Sequence, residues 1–265
     1  MKSILALAIA STVAFSAPAS AATVVVNSVS GLPTSTSWGT YPGENTGGGT
    51  AVVSTTAARS GNGSLELRGD RTRTQLGIQY SQPFFPAYDR TDIGALSNVT
   101  GLTFDWRIAG DSSNPYNVDY TPALRLLILD GDTRKELIWE GAYNNVYGLQ
   151  TVPDTWYSSS VDDRFYITGG SVNAGQTIAQ WAAQLTGARV QGFSVGIGSG
   201  ATTGYHAFAD NVTYSTTAGS TTYNFESAAA SAVPEPATWA MMLVGVGMVG
   251  ASARRRRKVA KIAFA

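Results

Sequence analysis

Residues 101–109 read Gly-Leu-Thr-Phe-Asp-Trp-Arg-Ile-Ala, and this stretch decides the fold class. Every second residue in it is large and apolar, namely Leu102, Phe104, Trp106 and Ile108. A β-strand would place all four side chains on one face, whereas a helix would turn successive members to opposite sides. A strand with one apolar face needs a second layer to cover it. The stretch therefore predicts a sheet packed against another sheet.

Short runs of β-branched and aromatic residues recur on both sides of this strand, separated by Gly, Ser, Thr and Asn. The further strands that these runs predict are 23–28, 51–55, 64–68, 75–80, 124–129, 136–140, 156–160, 164–168, 190–197 and 207–214. Asp130-Gly131-Asp132 would join two of them as a tight hairpin, because Asp-Gly supplies the positive φ that such turns need.

One segment has helical periodicity instead. Residues 177–185 place Ile178, Trp181 and Leu185 on one face, and Gly187 follows as a C-cap. Together with about ten strands, this predicts an all-β fold, a jelly-roll-like antiparallel β-sandwich with one short helix, over residues 23–217. Residues 218–232 are rich in small side chains and would form a linker with a short last strand.

The N-terminal end has the composition of an export signal. Lys2 precedes an apolar run at residues 4–15, and residues 19–21 (Ala-Ser-Ala) fit the small-x-small pattern of signal peptidase sites. Residues 1–22 are therefore predicted to be a signal peptide, removed by cutting after residue 21 or 22.

The C-terminal end has the composition of a membrane anchor. Residues 237–253 carry no charge, and as a helix they would span about 26 Å, slightly less than the hydrocarbon core of a bilayer. Trp239 lies near the start, where interfacial rings are found, and residues 254–258 (Arg-Arg-Arg-Arg-Lys) follow the span. Because positive charge next to a membrane span stays cytoplasmic, we expect a single transmembrane helix in the inner membrane with the main domain outside.

Residues 233–236 (Val-Pro-Glu-Pro) immediately precede this span. The combination of Pro-Glu-Pro, Trp-Ala, a short span and an arginine cluster resembles the PEP-CTERM sorting signal in its PEPxxWA variant, over residues 233–258. The resemblance implies export from a Gram-negative bacterium, then processing near Pro-Glu-Pro by exosortase, a membrane-embedded transpeptidase. The residues it assigns to the sorting motif are Pro234, Glu235, Pro236, Trp239, Arg254, Arg255, Arg256 and Arg257. An inner-membrane precursor would thus become a protein of the cell envelope or extracellular surface.

The composition of the exported region excludes several classes of function. Residues 23–232 carry 11 Lys and Arg against 17 Asp and Glu, which argues against nucleic acid or anionic lipid as a partner of this region. The chain has no cysteine, and His206 is its one histidine. Disulfides, a thiol nucleophile and a multi-histidine zinc site are therefore excluded.

Three fragments of the exported region resemble the jelly-roll domains of bacterial carbohydrate-binding modules: 61–65 (Gly-Asn-Gly-Ser-Leu), 190–196 (Val-Gln-Gly-Phe-Ser-Val-Gly) and 210–212 (Asp-Asn-Val). In such domains an Asp of the closing strand binds a structural Ca²⁺ together with an early acidic residue. The resemblance implies Ca²⁺ at Asp210, with Asn27 at the early position, where an uncharged oxygen would lower the affinity. The alternative is that Asp210 accepts hydrogen bonds from nearby backbone.

Sugar binding needs exposed aromatic faces with polar groups around them. The aromatic candidates are Trp38, Tyr41, Trp139, Tyr143 and Tyr147, with Tyr116 and Tyr120 as further members of the set. The loop 143–147 (Tyr-Asn-Asn-Val-Tyr) has the right mixture, and an extracellular polysaccharide would be the ligand. The alternative is that several of these rings belong to the core.

Catalysis has weaker support. Glu136 and Glu140 would share one face of a strand, and a glycosidase needs two carboxylates, but ordinary solvent exposure explains the pattern equally well. Ser199, His206 and Asp210 contain the residue types of a triad, yet Ser199 does not lie in a Gly-x-Ser-x-Gly elbow. We therefore expect a non-catalytic cell-surface or matrix protein, with a glycan-binding protein as the alternative and a glycoside hydrolase as the second alternative.

Overall fold

The computed structural model describes residues 20–40, 43, 45–79, 90–114, 118–146, 148, 151–198 and 200–228. Residues 1–19 of the predicted signal peptide and the whole predicted sorting signal, 233–258, lie outside these ranges. Among the described residues, no helix is both long and apolar enough to cross a membrane.

The described chain folds into two β-sheets and one short α-helix. The strands are β1 (Ser20–Val26), β2 (Trp38–Gly39), β3 (Thr50–Ser54), β4 (Ser64–Arg68), β5 (Thr72–Gly77), β6 (Gly94–Ala95), β7 (Val99–Ile108), β8 (Ala123–Asp130), β9 (Thr133–Trp139), β10 (Tyr157–Ser158), β11 (Tyr166–Ile167), β12 (Arg189–Ile197), β13 (His206–Thr216) and β14 (Gly219–Phe225). The helix is α1 (Ile178–Gln184).

The first sheet is built around β13. On one side β13 pairs with β7, which in turn pairs with β10. On the other side, the start of β13 pairs with β4 and its end pairs with β14. β3 then adds to β4, and β1 adds to β14. The β1–β14 pair is parallel, which departs from the purely antiparallel sandwich that the sequence predicted.

The second sheet has the order β11-β9-β8-β12-β5-β2, with β6 beside β12. Its central hairpin is the predicted one: β8 and β9 pair from Leu124–Trp139 to Asp130–Thr133, and Gly131 in the turn has φ 59°. The sequence predicted this turn because only a residue tolerant of positive φ closes it without strain.

The core lies between the two sheets. The alternating residues of β7 are all buried, and the ring of Phe104 packs edge-on against Trp139 of the facing sheet, with centroids 5.1 Å apart. Leu124 and Leu126 of β8 are fully buried on the same side of the second sheet. The prediction of an all-β sandwich with one helix is confirmed.

The helix α1 begins directly after its N-cap residue, Thr177. Thr177 forms a capping box with Gln180, in which each side chain accepts a hydrogen bond from the other residue's backbone N–H. Trp181 is buried, and its indole Nε1 donates to the carbonyl of Phe165 at 2.7 Å. Packing of this ring fixes the helix on the sandwich.

Three boundaries differ from the predictions. Within residues 218–228 of the predicted linker, β14 extends over Gly219–Phe225, because it pairs with β13 from Gly219 to Tyr223 across a tight turn. The predicted strand 75–80 lies earlier, as β5. The first strand starts at Ser20 and not at residue 23, since β14 offers it partners from Gly219 onward, so β1 includes the last residues of the predicted signal peptide.

Candidate functional site

A groove of ≈ 400 Å³ lies beside the loop that follows β9. Its lining consists of Tyr143, Asn144, Asn145, Asp162, Asp163 and Arg164. Tyr143, which is 38% exposed, offers an aromatic ring to this groove. The structure therefore places the predicted loop 143–147, as far as residue 146, at a surface depression.

A short 3-10 turn, Gly141–Tyr143, directs the Tyr143 ring outward. Gly141 is required there, because a Cβ atom would lie 2.7 Å from the Cγ2 of Thr121. The Gly141 N–H donates to Thr121 Oγ1 at 3.0 Å. This hydrogen bond holds the turn against Thr121.

The Asn144 side chain ties two loops together. Its amide donates to the carbonyls of Glu140 and Arg164, both at 3.0 Å, and its oxygen accepts the Arg164 N–H at 2.7 Å. Asn145 follows with φ 61°, a left-handed conformation that asparagine tolerates better than most residues. These contacts hold both walls of the groove in place before any ligand arrives.

Tyr166 extends the aromatic surface beside Tyr143. The two ring centroids are 5.4 Å apart with planes at 81°. Tyr166 Oη donates to Glu140 Oε1 at 3.0 Å, and burial together with the Glu140 charge raises the pKa of Tyr166 far above its usual value. A second depression of ≈ 180 Å³ opens on this side, bounded by Val172, Asn173 and other residues.

The groove combines four exposed groups of different chemistry. Tyr143 supplies a ring, Asn145 an amide, Asp162 a carboxylate and Arg164 a guanidinium. Ring faces pack on the CH groups of sugars, and amide, carboxylate and guanidinium groups bond their hydroxyls. Tyr143 was a sequence candidate, whereas Tyr166, Arg164 and Asp162 were missed.

The structure corrects two of the glycan-binding candidates. Trp139 is only 1% exposed, and its indole Nε1 donates to Asp163 Oδ2 at 2.7 Å. Trp38 is 4% exposed and packs edge-on against Phe193 and Phe225. Both rings belong to the core, so neither has a free face for a sugar.

The remaining aromatic candidates do not add to the groove. Tyr120 is half-buried and packs edge-on against Tyr205. Tyr41, Tyr116 and Tyr147 lie outside the described residues.

The two carboxylates that the sequence paired, Glu136 on β9 and Glu140 immediately after β9, both already have partners. Glu136 forms an ion pair with Arg73 at 3.0 Å and lies 3.6 Å from Arg125. Arg125 is buried, and this burial lowers the pKa of its guanidinium. Glu136 therefore balances buried positive charge. Glu140 accepts a hydrogen bond from the Tyr166 hydroxyl.

The one histidine has partners that the sequence did not suggest. His206 Nδ1 is hydrogen-bonded to Asp111, and its Nε2 lies 3.2 Å from Glu66 Oε1. The hydrogen bond from His206 lowers the pKa of Asp111. Ser199 lies outside the described residues. Asp111 lies near His206 because β7 pairs with β13, with Ala109 N–H donating to the His206 carbonyl at 3.1 Å, and no local sequence pattern indicates this pairing.

Asp210 is fully buried and accepts three backbone hydrogen bonds. The donors are the N–H groups of Asn211 at 2.8 Å, Phe225 at 2.9 Å and Ser60 at 3.3 Å. This is the backbone hydrogen bonding that the alternative interpretation expected, spread over three segments. Asn27 instead donates its amide to the carbonyl of Glu226 at 3.0 Å.

The fit of these residues to Ca²⁺ is poor. Both Asp210 oxygens already face N–H donors. Within the part of the chain that the structure describes, no group of three or more acidic, histidine or cysteine residues could hold a metal ion. Ca²⁺ at Asp210 and Asn27 therefore stays a prediction.

Burial of Asp210 gives the stability of the domain a pH dependence. Burial raises the pKa of Asp210 to about 6 in the folded protein, above about 3.9 for an unfolded chain. The stability that the protonated Asp210 contributes to the folded domain is therefore fully present below about pH 4, and it is lost as the pH rises through about 6. We expect the free energy of unfolding to lose about 3 kcal/mol through this group. Urea unfolding from pH 4 to 7 measures this loss as the difference between the wild type and Asp210→Asn, and parallel pH profiles would contradict it.

Comparison with known proteins identifies the C-terminal segment. Residues 232–257 match the family model of the PEP-CTERM protein-sorting motif, which confirms the resemblance found in the sequence. The match covers about a tenth of the chain and lies outside the described residues. No curated protein matches the chain at a significant level.

Proposed function

We propose that this chain, which carries a PEP-CTERM protein-sorting motif, is a non-catalytic protein of the cell surface or extracellular matrix whose β-sandwich binds glycan. The motif at residues 232–257 indicates an exported, cell-envelope-directed protein that exosortase processes. Under this proposal, residues 237–253 anchor the precursor in the inner membrane until processing near Pro234. The single observation that carries the binding role is the exposed Tyr143 ring in a groove with preset polar walls.

The rigidity of the groove supports binding. Asn144 crosslinks the loop after β9 to the backbone of Arg164 with three hydrogen bonds. A ligand that meets such a surface loses less free energy to loop ordering than one that must organise it. Arg164, Asp162 and Asn145 are exposed, so they are accessible to sugar hydroxyls.

The state of the carboxylates favours binding over hydrolysis. A general acid or nucleophile must be accessible to the glycosidic bond. Glu136 lies between Arg73 and Arg125, and its side chain is 15% exposed. The Glu140 carboxylate accepts a hydrogen bond from the Tyr166 hydroxyl.

The location of the protein suggests the ligand. A protein delivered to the envelope meets extracellular polysaccharide at high concentration, so weak single-site binding is sufficient when many copies share one surface. The groove offers both a carboxylate and a guanidinium, which suits a sugar that presents several hydroxyls and not a highly charged polymer.

Replacing Tyr143 with alanine is expected to weaken polysaccharide binding about tenfold, or about 1.4 kcal/mol, because the sugar loses its stacking face. Tyr143→Phe should retain most of the affinity. The measurement is affinity electrophoresis of the full chain in detergent through gels containing polysaccharide purified from the producing bacterium.

The matched control is Val152→Ala, which shortens an exposed apolar side chain away from the groove; Val152 is 60% exposed. Equal retardation of Tyr143→Ala and the wild type would contradict the groove as the binding site. No retardation of the wild type would contradict glycan binding itself.

A further inference from the structure

Two depressions meet at the Tyr143 loop. The groove of ≈ 400 Å³ and the second depression of ≈ 180 Å³ share three lining residues, Tyr143, Asn145 and Arg164. All three are exposed. They form a common wall, which we call the saddle, and a ligand can cross it from one depression into the other.

The saddle is fixed by contacts within the protein. The Asn144 amide donates to the carbonyls of Glu140 and Arg164, and its oxygen accepts the Arg164 N–H. Tyr143 packs edge-on against Tyr166, with ring centroids 5.4 Å apart. The two depressions therefore keep a fixed separation before a ligand arrives.

The residues that line only one of the depressions differ in chemistry. Asp162 and Asp163 line the groove alone, and their carboxylates accept hydrogen bonds. Asn173 and Tyr166 line the second depression alone, and none of its described lining residues is acidic. The Asn173 amide and the Arg164 guanidinium supply donors there. The two depressions thus offer different hydrogen-bonding partners to neighbouring parts of one ligand.

The sizes of the depressions favour a ligand that occupies both. Ligand pockets usually measure about 300 to 1,000 Å³. The second depression is smaller than this range, and the groove lies near its lower limit. A ligand that crosses the saddle contacts both depressions and packs on the Tyr143 ring between them.

We propose that the site has two subsites and binds an internal stretch of a neutral polysaccharide, with one sugar in the groove and the next in the second depression. This inference rests on the proposed glycan binding. Consecutive sugars of a chain are covalently linked, so the second sugar meets its subsite at a high effective concentration once the first is bound. A free monosaccharide lacks this advantage, because it fills one subsite at a time.

The charges around the site favour a neutral chain. A polyanion would meet two carboxylates in the groove, those of Asp162 and Asp163. It would also meet a net charge of about −6 on residues 23–232, from 11 basic and 17 acidic residues. Both repel it. A neutral chain is not repelled, and its hydroxyls can donate to the same carboxylates.

The test measures competition by sugars of increasing length. The full chain in detergent runs through gels that contain polysaccharide purified from the producing bacterium, and its retardation is reversed with length-sorted fragments from partial acid hydrolysis of that polysaccharide. We expect the inhibition constant to fall at least tenfold between single sugars and fragments of about two or three sugars, and then to level off. Equal inhibition by single sugars and long fragments would overturn the two subsites and leave glycan binding intact.

Two variants test the subsites separately. Asn173→Ala changes only the second depression, and Asp162→Ala changes only the groove. In each variant the tenfold difference between single sugars and short fragments should shrink to less than about threefold. The matched controls, Asn62→Ala and Asp132→Ala, remove the same side chains from exposed turns elsewhere and should match the wild type.

Thermal melting of each variant checks that the fold is retained. If Asn173→Ala kept the wild-type dependence on fragment length, the second depression would not be a subsite and the inference would be wrong. A wild type that the gel does not retard would contradict glycan binding itself, and the two subsites with it.

Discussion

Replacing Asp210 with alanine is expected to destabilise the β-sandwich by about 3 to 5 kcal/mol at pH 5. The change leaves the buried backbone N–H of Phe225 and the partly buried backbone N–H groups of Ser60 and Asn211 without their acceptor. Each buried donor without a partner costs about 1 to 3 kcal/mol. Because these donors lie on three segments, the loss also loosens the junction between β4 and β14. Urea unfolding followed by tryptophan fluorescence measures the effect.

The control for this prediction is Asp162→Ala, which removes an exposed carboxylate from the groove. Exposed substitutions of this kind usually change stability by less than about 0.5 kcal/mol. Asp210→Asn keeps one acceptor oxygen, so its loss of stability should lie between those of Asp210→Ala and Asp162→Ala. A similar loss for Asp210→Ala and Asp162→Ala would show that the three hydrogen bonds contribute little.

Replacing Glu136 with alanine is expected to cost about 3 to 5 kcal/mol. The variant removes the carboxylate that lies 3.6 Å from the buried Arg125 guanidinium, and Arg73 adds a second positive charge nearby. A buried charge without a partner is among the most destabilising changes in proteins. The free energy of unfolding at pH 7 measures the effect.

Lys135→Ala is the matched control on the neighbouring residue. Lys135 pairs with Asp130 at 2.6 Å, but both side chains are partly exposed, and such pairs contribute about 0 to 1 kcal/mol. Full stability of Glu136→Ala would contradict the role of Glu136 in balancing the buried positive charge.

The parts of the fold that the sequence predicted depend on local patterns. The alternation of 101–109 identified β7, the Asp-Gly pair identified the β8–β9 turn, and Thr177 with helical spacing identified α1. Each of these features is decided by neighbours within a few residues. Their side chains and turn geometry are therefore visible without knowing the topology.

The parts that the sequence missed depend on pairing between distant segments. β1 pairs with β14 about 200 residues further along the chain, and no local pattern indicates a parallel partner. Residues 218–232 were predicted as a linker with only a short last strand, because small residues and threonine are also common in loops. The topology alone brings Asn27, Ser60 and Glu226 to the same end of the first sheet.

The candidate site shows the same division. Tyr143 was predicted from its polar, aromatic loop, but Arg164 and Tyr166 belong to a segment whose strand, β11, is only two residues long. The burial of Trp139 could have been predicted from the sequence, since Trp139 lies two residues after Leu137 and therefore shares its face of the strand. Trp38 had no comparable pattern, because β2 also has two residues.

The most direct test of the central claim is the intact mass and location of the protein in its producing bacterium, with and without exosortase. We predict a surface product whose mass corresponds to an end between Pro234 and Ala237, and a membrane-retained precursor in the strain that lacks exosortase. A full-length, membrane-retained product in both strains would contradict sorting by exosortase and would leave a β-sandwich with an unprocessed C-terminal segment.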